Sequence, residues 1–489
     1  MKHLFKPAAA TALALLLAAC ASTQPDAPAL IRQAEQALGG AATKTLVISG
    51  SGSGASFGQA YRPGMAWPGL QYGLLTRAMN FETGAFREDF ARSRNEPNGG
   101  GAVPLLGQGE ARGTGYTRDG YAWSPTANGG ATAAGVAVLP RVHDLWTGTP
   151  QGALKAAARH GAVAGTRTLA GIAYHTLSYT APGQYTATLL IDNTGSVARI
   201  ESTMPHPVLG DTPVVTEFSA YKDWGGIRFP SRIQQSQGGF PVLDIAVTEV
   251  QAGAAVDIEV PAAAKAGENV SVEKVAEGVW FLAGGSHNSV AIEQSSQIVL
   301  VESPLYDGRA AAVLARANQL VPGKQVQTVI NSHHHFDHAG GLRTAVATGA
   351  QLITSAMAKP YFEKVFANPN RIAPDLLAQA GNPAPRIVGV SGQTALNDSM
   401  RRIEIHEMQG SVHAQGFMLV WLPAEKLLIE ADAYTPGPPN SPPPAVPNGN
   451  QVNLVQNFER LGLAPERILP LHGRVATSAE LYVQIGRQR

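Results

Sequence analysis

The sequence predicts two unlike halves, a mainly antiparallel β domain followed by an α/β domain built in layers. Three observations carry this. Residues 29–252 hold a succession of β-prone runs with hairpin turns between them and only a few helical stretches. From Val272 three short strands give way to alternating helix and strand, the order of an α/β sandwich layer. Between the two patterns, Gln251 to Asn269 is rich in Ala, Gly and Pro, as a linker is. With 489 residues and 44% hydrophobic content the chain is long and apolar enough for at least two cores. The resulting division is 1–20 signal peptide, 21–28 tether, 29–252 β domain, 253–271 linker and 272–489 α/β domain.

The N-terminus reads as an address. Lys2, His3 and Lys6 precede a short apolar run, Ala8 to Ala19, too short to span a bilayer well. Leu17-Ala18-Ala19-Cys20 resembles a bacterial lipobox, which implies cleavage before Cys20 and a lipid on its thiol. An ordinary signal peptide is the alternative, since Ala19-Cys20-Ala21 also suits a small-residue cleavage site. Ala21 and Ser22, with no Asp after the cysteine, point to the outer membrane with the protein facing the periplasm. Cys20 is the only cysteine, so the mature body has no disulfide and no thiolate metal ligand. A net charge of +1 gives no global attraction for nucleic acid.

The β domain opens with a helix over Ala29 to Leu38, ended by Gly39-Gly40. Thr45 to Ser49 is β-prone. Gly50-Ser51-Gly52-Ser53-Gly54 lacks the Lys-Ser/Thr ending of a phosphate loop and reads as a flexible turn. Gly73 to Phe81 and Ala85 to Phe90 form a hairpin about Glu82-Thr83-Gly84. Val138 to Arg159 is helical with a break near Gly148-Thr149-Pro150. Strands follow over 173–180, 185–191, 197–203, 214–222, 227–234 and 242–250. This order resembles the half-barrel of lipoprotein-carrier proteins, which implies a sheet able to hold a lipid or shield a substrate; a scaffold without a ligand is the alternative. His143, His160, His175 and His206 are scattered and read as surface or satisfied core residues.

The chemistry lies in Asn331-Ser332-His333-His334-His335-Phe336-Asp337-His338-Ala339-Gly340-Gly341. A β-prone run, Val326 to Ile330, leads in, and a helical pattern from about His338 to Ala347 follows. In an extended loop His333 and His335 point to one side, because the side-chain period is two. Asp337 and His338 fall where the helix begins and turn toward a second position. Neutral imidazole and carboxylate suit zinc and similar divalent ions. Three further candidates stand beside strand ends: His413 before the strand Phe417 to Leu422, Asp432 past the return strand Leu427 to Glu430, and His472 after Arg467 to Leu471. Ligands at the ends of successive strands converge on one sheet edge.

This pattern is similar to that of the metallo-β-lactamase superfamily: His-x-His-x-Asp-His, a His before a hairpin, an Asp after it, and a late His. The resemblance covers residues 272–476, about two-fifths of the chain, and every slot is filled. It implies an αββα sandwich and two divalent metal ions, zinc first among zinc, iron and manganese. It assigns His333, His335 and His413 to one metal, Asp337, His338 and His472 to the other, and Asp432 to both. Two dications about 3.5–4 Å apart would hold a shared hydroxide and clamp both oxygens of a hydrolytic displacement, with Asp337 also handling the water's proton. The bridging Asp432 and the third histidine resemble the lactonase, thioesterase and phosphodiesterase branches more than the cysteine-containing β-lactamases or the alkylsulfatases. Tyr434 is a candidate hydrogen-bond donor to the substrate, with a packed aromatic as the alternative. His287 and Asn288 are candidates for substrate contact, His334 for a supporting hydrogen bond, and the loops Pro436 to Asn450 and Ala356 to Ala384 for the pocket rim.

The expected function is therefore hydrolysis of a small ester, lactone, thioester or amide by a lipid-anchored envelope protein. Its partners would be the small-molecule substrate and, through Cys20, the membrane, with no nucleic acid. A β-lactamase-like activity, or a lipid-binding lipoprotein with a vestigial hydrolase domain, are the alternatives. Oligomeric state is left open.

Overall fold

A computed structural model describes residues 26–40 and 42–487. The signal peptide, Cys20 and tether residues 21–25 lie outside the described residues. No helix among the described residues is long and apolar enough to cross a membrane.

In the N-terminal half thirteen strands make one sheet, antiparallel at every pairing. The sheet is joined at its centre, where the first strand, Thr45–Ala55, pairs with the last, Phe240–Ala252. Helices Ala27–Ala37, Val138–Thr147 and Pro150–Arg159 close one face, burying Leu30, Ile31, Trp146 and Leu154 against Leu46, Met79, Phe86 and Leu189. Each fully buried side chain of this size contributes about 1.5–3 kcal/mol. The break between the last two helices has a local cause. Thr149 is extended and its side chain caps Gly152 N, while Pro150 starts the new helix without needing a donor.

Gly50 to Gly54 is not a turn. It continues the central strand as far as Ala55. Its glycines reflect close approach rather than flexibility: a Cβ on Gly52 would sit 2.2 Å from Asp244 O, and one on Gly54 2.6 Å from the Tyr72 ring. The stretch after residue 252 is also packed, with Val256, Ile258 and Ala264 buried against Ala78, Ala85 and Trp123.

The C-terminal half has two sheets face to face with helices outside both. The first sheet has seven strands, Ser271–Ala276 through Ile387–Val390, and the second has six, Gln393–Asn397 through Ala476–Thr477. Their facing sides bury Val290, Val299, Ile330, Ile405, Val420 and Ile429 in one core. Helices Asp307–Asn318, Leu342–Ala347 and Lys359–Phe366 cover the first sheet, and Gly449–Leu461 and Ser478–Gln484 the second. The layering is thus α, β, β, α. Strands Ile298–Val301, Val326–Ile330 and Gln351–Ser355 run parallel, as do Leu427–Glu430 and Arg467–Pro470. Their carboxyl ends lie on one edge, where α/β folds place their sites.

The helix expected from His338 to Ala347 is two short helices, Phe336–Ala339 and Leu342–Ala347. The interruption at Gly340-Gly341 lets the 303–305 loop pack directly on the backbone. A Cβ on Gly340 would lie 1.8 Å from Leu305 O, and one on Gly341 2.4 Å from the Ala310 side chain.

Candidate metal centre

The strand ends bring the seven residues together. His333, His335 and His413 form one group whose ligand atoms lie within 4.8 Å of one another; His333, His338 and Asp432 form a second, and His287, Asp337, His338 and His472 a third. Asp432 stands between them. Its Oδ2 is 3.2 Å from His333 Nε2, 2.8 Å from His338 Nε2 and 3.2 Å from His413 Nε2, and its Oδ1 is 3.0 Å from His472 Nε2.

Hydrogen bonding alone does not account for this cluster. The Nε2 atoms of His338 and His472 are 3.1 Å apart, and those of His333 and His413 3.2 Å. Two lone pairs cannot face each other at that distance without a proton or a cation between them. Tetrahedral coordination at bond lengths of about 2.0–2.1 Å sets neighbouring ligands about 3.3 Å apart, close to these spacings. His335 Nδ1 is buried with no hydrogen-bond partner. In so buried a place an unsatisfied acceptor is costly unless a metal uses it. The donor set therefore fits divalent metal.

The outward ring nitrogens have partners that set the tautomers. His338 Nδ1 donates to Glu302 Oε2 at 3.1 Å, which leaves Nε2 as the ligand atom. His333 Nδ1 meets Ser332 Oγ at 2.9 Å, again freeing Nε2. His335 is reversed: its Nε2 donates to Ala60 O at 3.0 Å, so Nδ1 faces the site. His334 Nε2 donates to the same carbonyl at 2.8 Å. Ala60 belongs to the N-terminal half, whose 56–61 segment runs against the motif. Beside it Gln59 Nε2 donates to Asp337 Oδ1 at 2.9 Å, Phe336 N to Gly58 O at 3.2 Å, and Gln415 N to Tyr61 O at 2.8 Å.

Burial pushes His333 and His335 well below the ordinary imidazole range, so they are neutral, the form that binds metal. Burial also opposes charge on Asp432 and Asp337, but the imidazole of His338 outweighs it and holds both carboxyls well down, and the two carboxylates in turn raise His338: the space among them favours positive charge, whether a proton on His338 Nε2 or a metal ion in its place. Glu430 goes the other way. Burial and the neighbouring Asp432 raise it well above its usual value, even though Ala433 N and Tyr434 N donate to its Oε2.

Other candidates lie elsewhere than expected. Tyr434 does not line the cavity at the metal cluster. Its ring is buried in the sandwich core, and it lines a separate pocket with Pro438, Arg474 and Glu480. It is a packed aromatic, because strand Leu427–Glu430 ends in a turn that directs residue 434 inward. His287 is 7% exposed and lies behind Asp337, with Nε2 3.2 Å from Asp337 Oδ2, rather than at the mouth. Asn288 ties down the turn carrying His472 by donating to Pro470 O and Gly473 O. The pocket wall is supplied by strands of the N-terminal sheet and by Thr435, not by residues 356–384 or 436–450.

Sequence reasoning missed Glu302, Glu430, Gln59 and the Ala60 carbonyl. The first two carried a signal, a carboxylate at the end of an apolar buried strand or just past it. The last two carried none.

The family model of the metallo-beta-lactamase superfamily matches residues 282–473. Among solved structures the chain is similar to a metallo-beta-lactamase from Pontibacter korlensis, at 15% identity and TM-score 0.34, covering 45% of this chain and 98% of that one. It is similar to the metallo-beta-lactamase FIM-1 from Pseudomonas aeruginosa in its mono-zinc form, at 17% and 0.33, covering 44% and 93%. It is also similar to rubredoxin oxygen:oxidoreductase from the anaerobe Desulfovibrio gigas, at 18% and 0.34, covering 44% and 60%. No curated protein sequence matches it. The N-terminal sheet lies outside the family match.

Proposed function

We propose, from a C-terminal half that matches the metallo-beta-lactamase superfamily, that this chain is a dinuclear metal-dependent hydrolase of a small ester, lactone, thioester or amide. The observation that carries the reading is Asp432, whose two oxygens face the histidines of both prospective metal positions. A carboxylate between two imidazole groups suits two cations and is redundant for one.

His333 and His413 through Nε2 and His335 through Nδ1 would hold the first ion; Asp337, with His338 and His472 through Nε2, would hold the second. Two divalent ions so held supply Lewis acidity and lower the pKa of bound water to about 7. The protein's own part is orientation. Gln59 and His287 each take one lone pair of Asp337, one on each oxygen, and leave the others for a ligand or a proton. Glu302 keeps His338 in one tautomer. The N-terminal sheet forms the wall of the cavity that faces the centre.

Support for an envelope location comes from the lipobox-like Leu17 to Cys20. Membrane anchoring through Cys20 and a purely small-molecule partner belong to the same proposal.

Metal content of the purified chain tests the centre. Close to two ions per chain are expected, with activity lost on chelation and restored on reconstitution. Metal-free protein that cannot be reconstituted would end the reading. A panel of lactones, thioesters, β-lactams, phosphodiesters and sulfate esters then identifies the bond cleaved.

A further inference from the structure

A cavity of about 750 Å³ opens between the two halves. One wall carries Asp337, Asp432 and His472, and the other belongs to the N-terminal sheet. Resting on the hydrolase reading, we propose that this cavity is the substrate pocket and that Arg92 selects substrates carrying a carboxylate away from the scissile bond.

The volume lies within the roughly 300–1,000 Å³ typical of small-molecule sites. The sheet wall has an apolar strip, Tyr72, Leu75, Val242 and Leu243, beside polar side chains that include Glu88, Gln235 and Gln237. Two arginines interrupt it, and they differ. Arg77 is saturated, with Nε on Glu88 at 2.8 Å and Nη2 on Asp144 at 2.9 Å. Among the described residues Arg92 has no carboxylate within ion-pair distance. Its Nη1 donates to the Tyr72 hydroxyl at 3.2 Å, and its Nε is buried with no hydrogen-bond partner. The guanidinium rests on the Phe90 ring, 4.4 Å from its centroid, with Tyr72 at 5.9 Å.

Stacking on rings fixes the plane of a guanidinium and leaves its edge to bind an anion in its own plane. A planar carboxylate matches that edge with two parallel hydrogen bonds. A phosphate dianion fits less well, because Glu88 lines the same wall and would repel the second charge. The pocket thus suits an amphiphile: apolar body along Leu75 and Leu243, carboxylate at Arg92, scissile group at the metal centre.

The test compares two para-nitrophenyl esters of equal chain length, the neutral hexanoate and the mono-adipate with its terminal carboxylate. The metal-loaded wild type is expected to favour the adipate in kcat/KM. Arg92→Ala should lower the adipate-to-hexanoate ratio about tenfold or more, with Arg92→Lys falling between. A merely structural role would depress both esters in proportion, and an unchanged ratio overturns the proposal. If the wild type cleaves neither ester, that failure counts against the hydrolase reading. Calorimetric binding of hexanoate, with hexanamide as the neutral control, then decides the role of Arg92. Tighter hexanoate binding by wild type than by Arg92→Ala supports it, and equal binding overturns it.

Discussion

Two buried polar networks, one in each half, are built in opposite ways. In the N-terminal one, around Arg77 and His143, the groups satisfy one another. Arg77 closes an ion triad with Glu88 and Asp144, and buried His143 meets Ser202 Oγ at 2.8 Å. In the C-terminal one, at the metal-ligating cluster, acceptors face acceptors, with imidazole nitrogens 3.1–3.2 Å apart around Asp432. The first arrangement is complete as it stands. The second is complete only with cations. Counting buried polar residues would rank the two alike; asking whether each donor has an acceptor separates a structural network from a functional one.

Breaking each network in turn sharpens this difference. Asp432→Ala removes the group shared by both proposed ion positions. It should reduce activity by about a thousandfold or more and lower bound metal per chain, read by steady-state kinetics and elemental analysis. If metal content and rate were unchanged, the contrast would collapse. Arg77→Ala should destabilise the chain by about 2–3 kcal/mol in chemical denaturation, because it strands two half-buried carboxylates. Metal content should hold, since Arg77 contacts no ligand.

The contact between the halves titrates. His206 is buried beside Phe57 and Phe336, its Nδ1 accepting from Val208 N and Leu209 N, and burial depresses it to about 3. The unfolded chain therefore binds this proton first. Stability from this group is full above its ordinary pKa near 6.5 and is lost as pH falls toward about 3. A fall of about 2 kcal/mol between pH 7 and pH 5 is expected, with a shallower slope in His206→Gln. The smallest effect is at Gln59. Gln59→Ala removes one hydrogen bond to Asp337, and about a tenfold loss in kcat with metal retained is expected. No loss would mean that the N-terminal domain only shields the centre.

Much of the site could be read before the fold was known. The motif from His333 to His338 lies within one strand, loop and helix start, so local geometry nearly determines its convergence. His413, Asp432 and His472 were legible because each adjoins a strand end in a regular alternation. Tyr434 shows the limit: two residues past a ligand, it points into the core, since only the path of the turn sets its direction. Gly50 to Gly54 shows another, because glycine marks both flexible turns and crowded strands. Only the facing backbone at Asp244 tells them apart.

The sequence by itself determined the two-part architecture, the layered second half and the seven His and Asp residues that the fold gathers, because periodicity and strand ends are local properties of the chain. Tertiary structure alone decided which nitrogen of His335 faces the centre, that Gln59 reaches Asp337 from 278 residues away, and that Arg92 stands on the opposite wall with no carboxylate partner among the described residues. These are contacts between distant segments. No residue pattern records them, because each side chain is ordinary until the packing of the two halves sets what it meets.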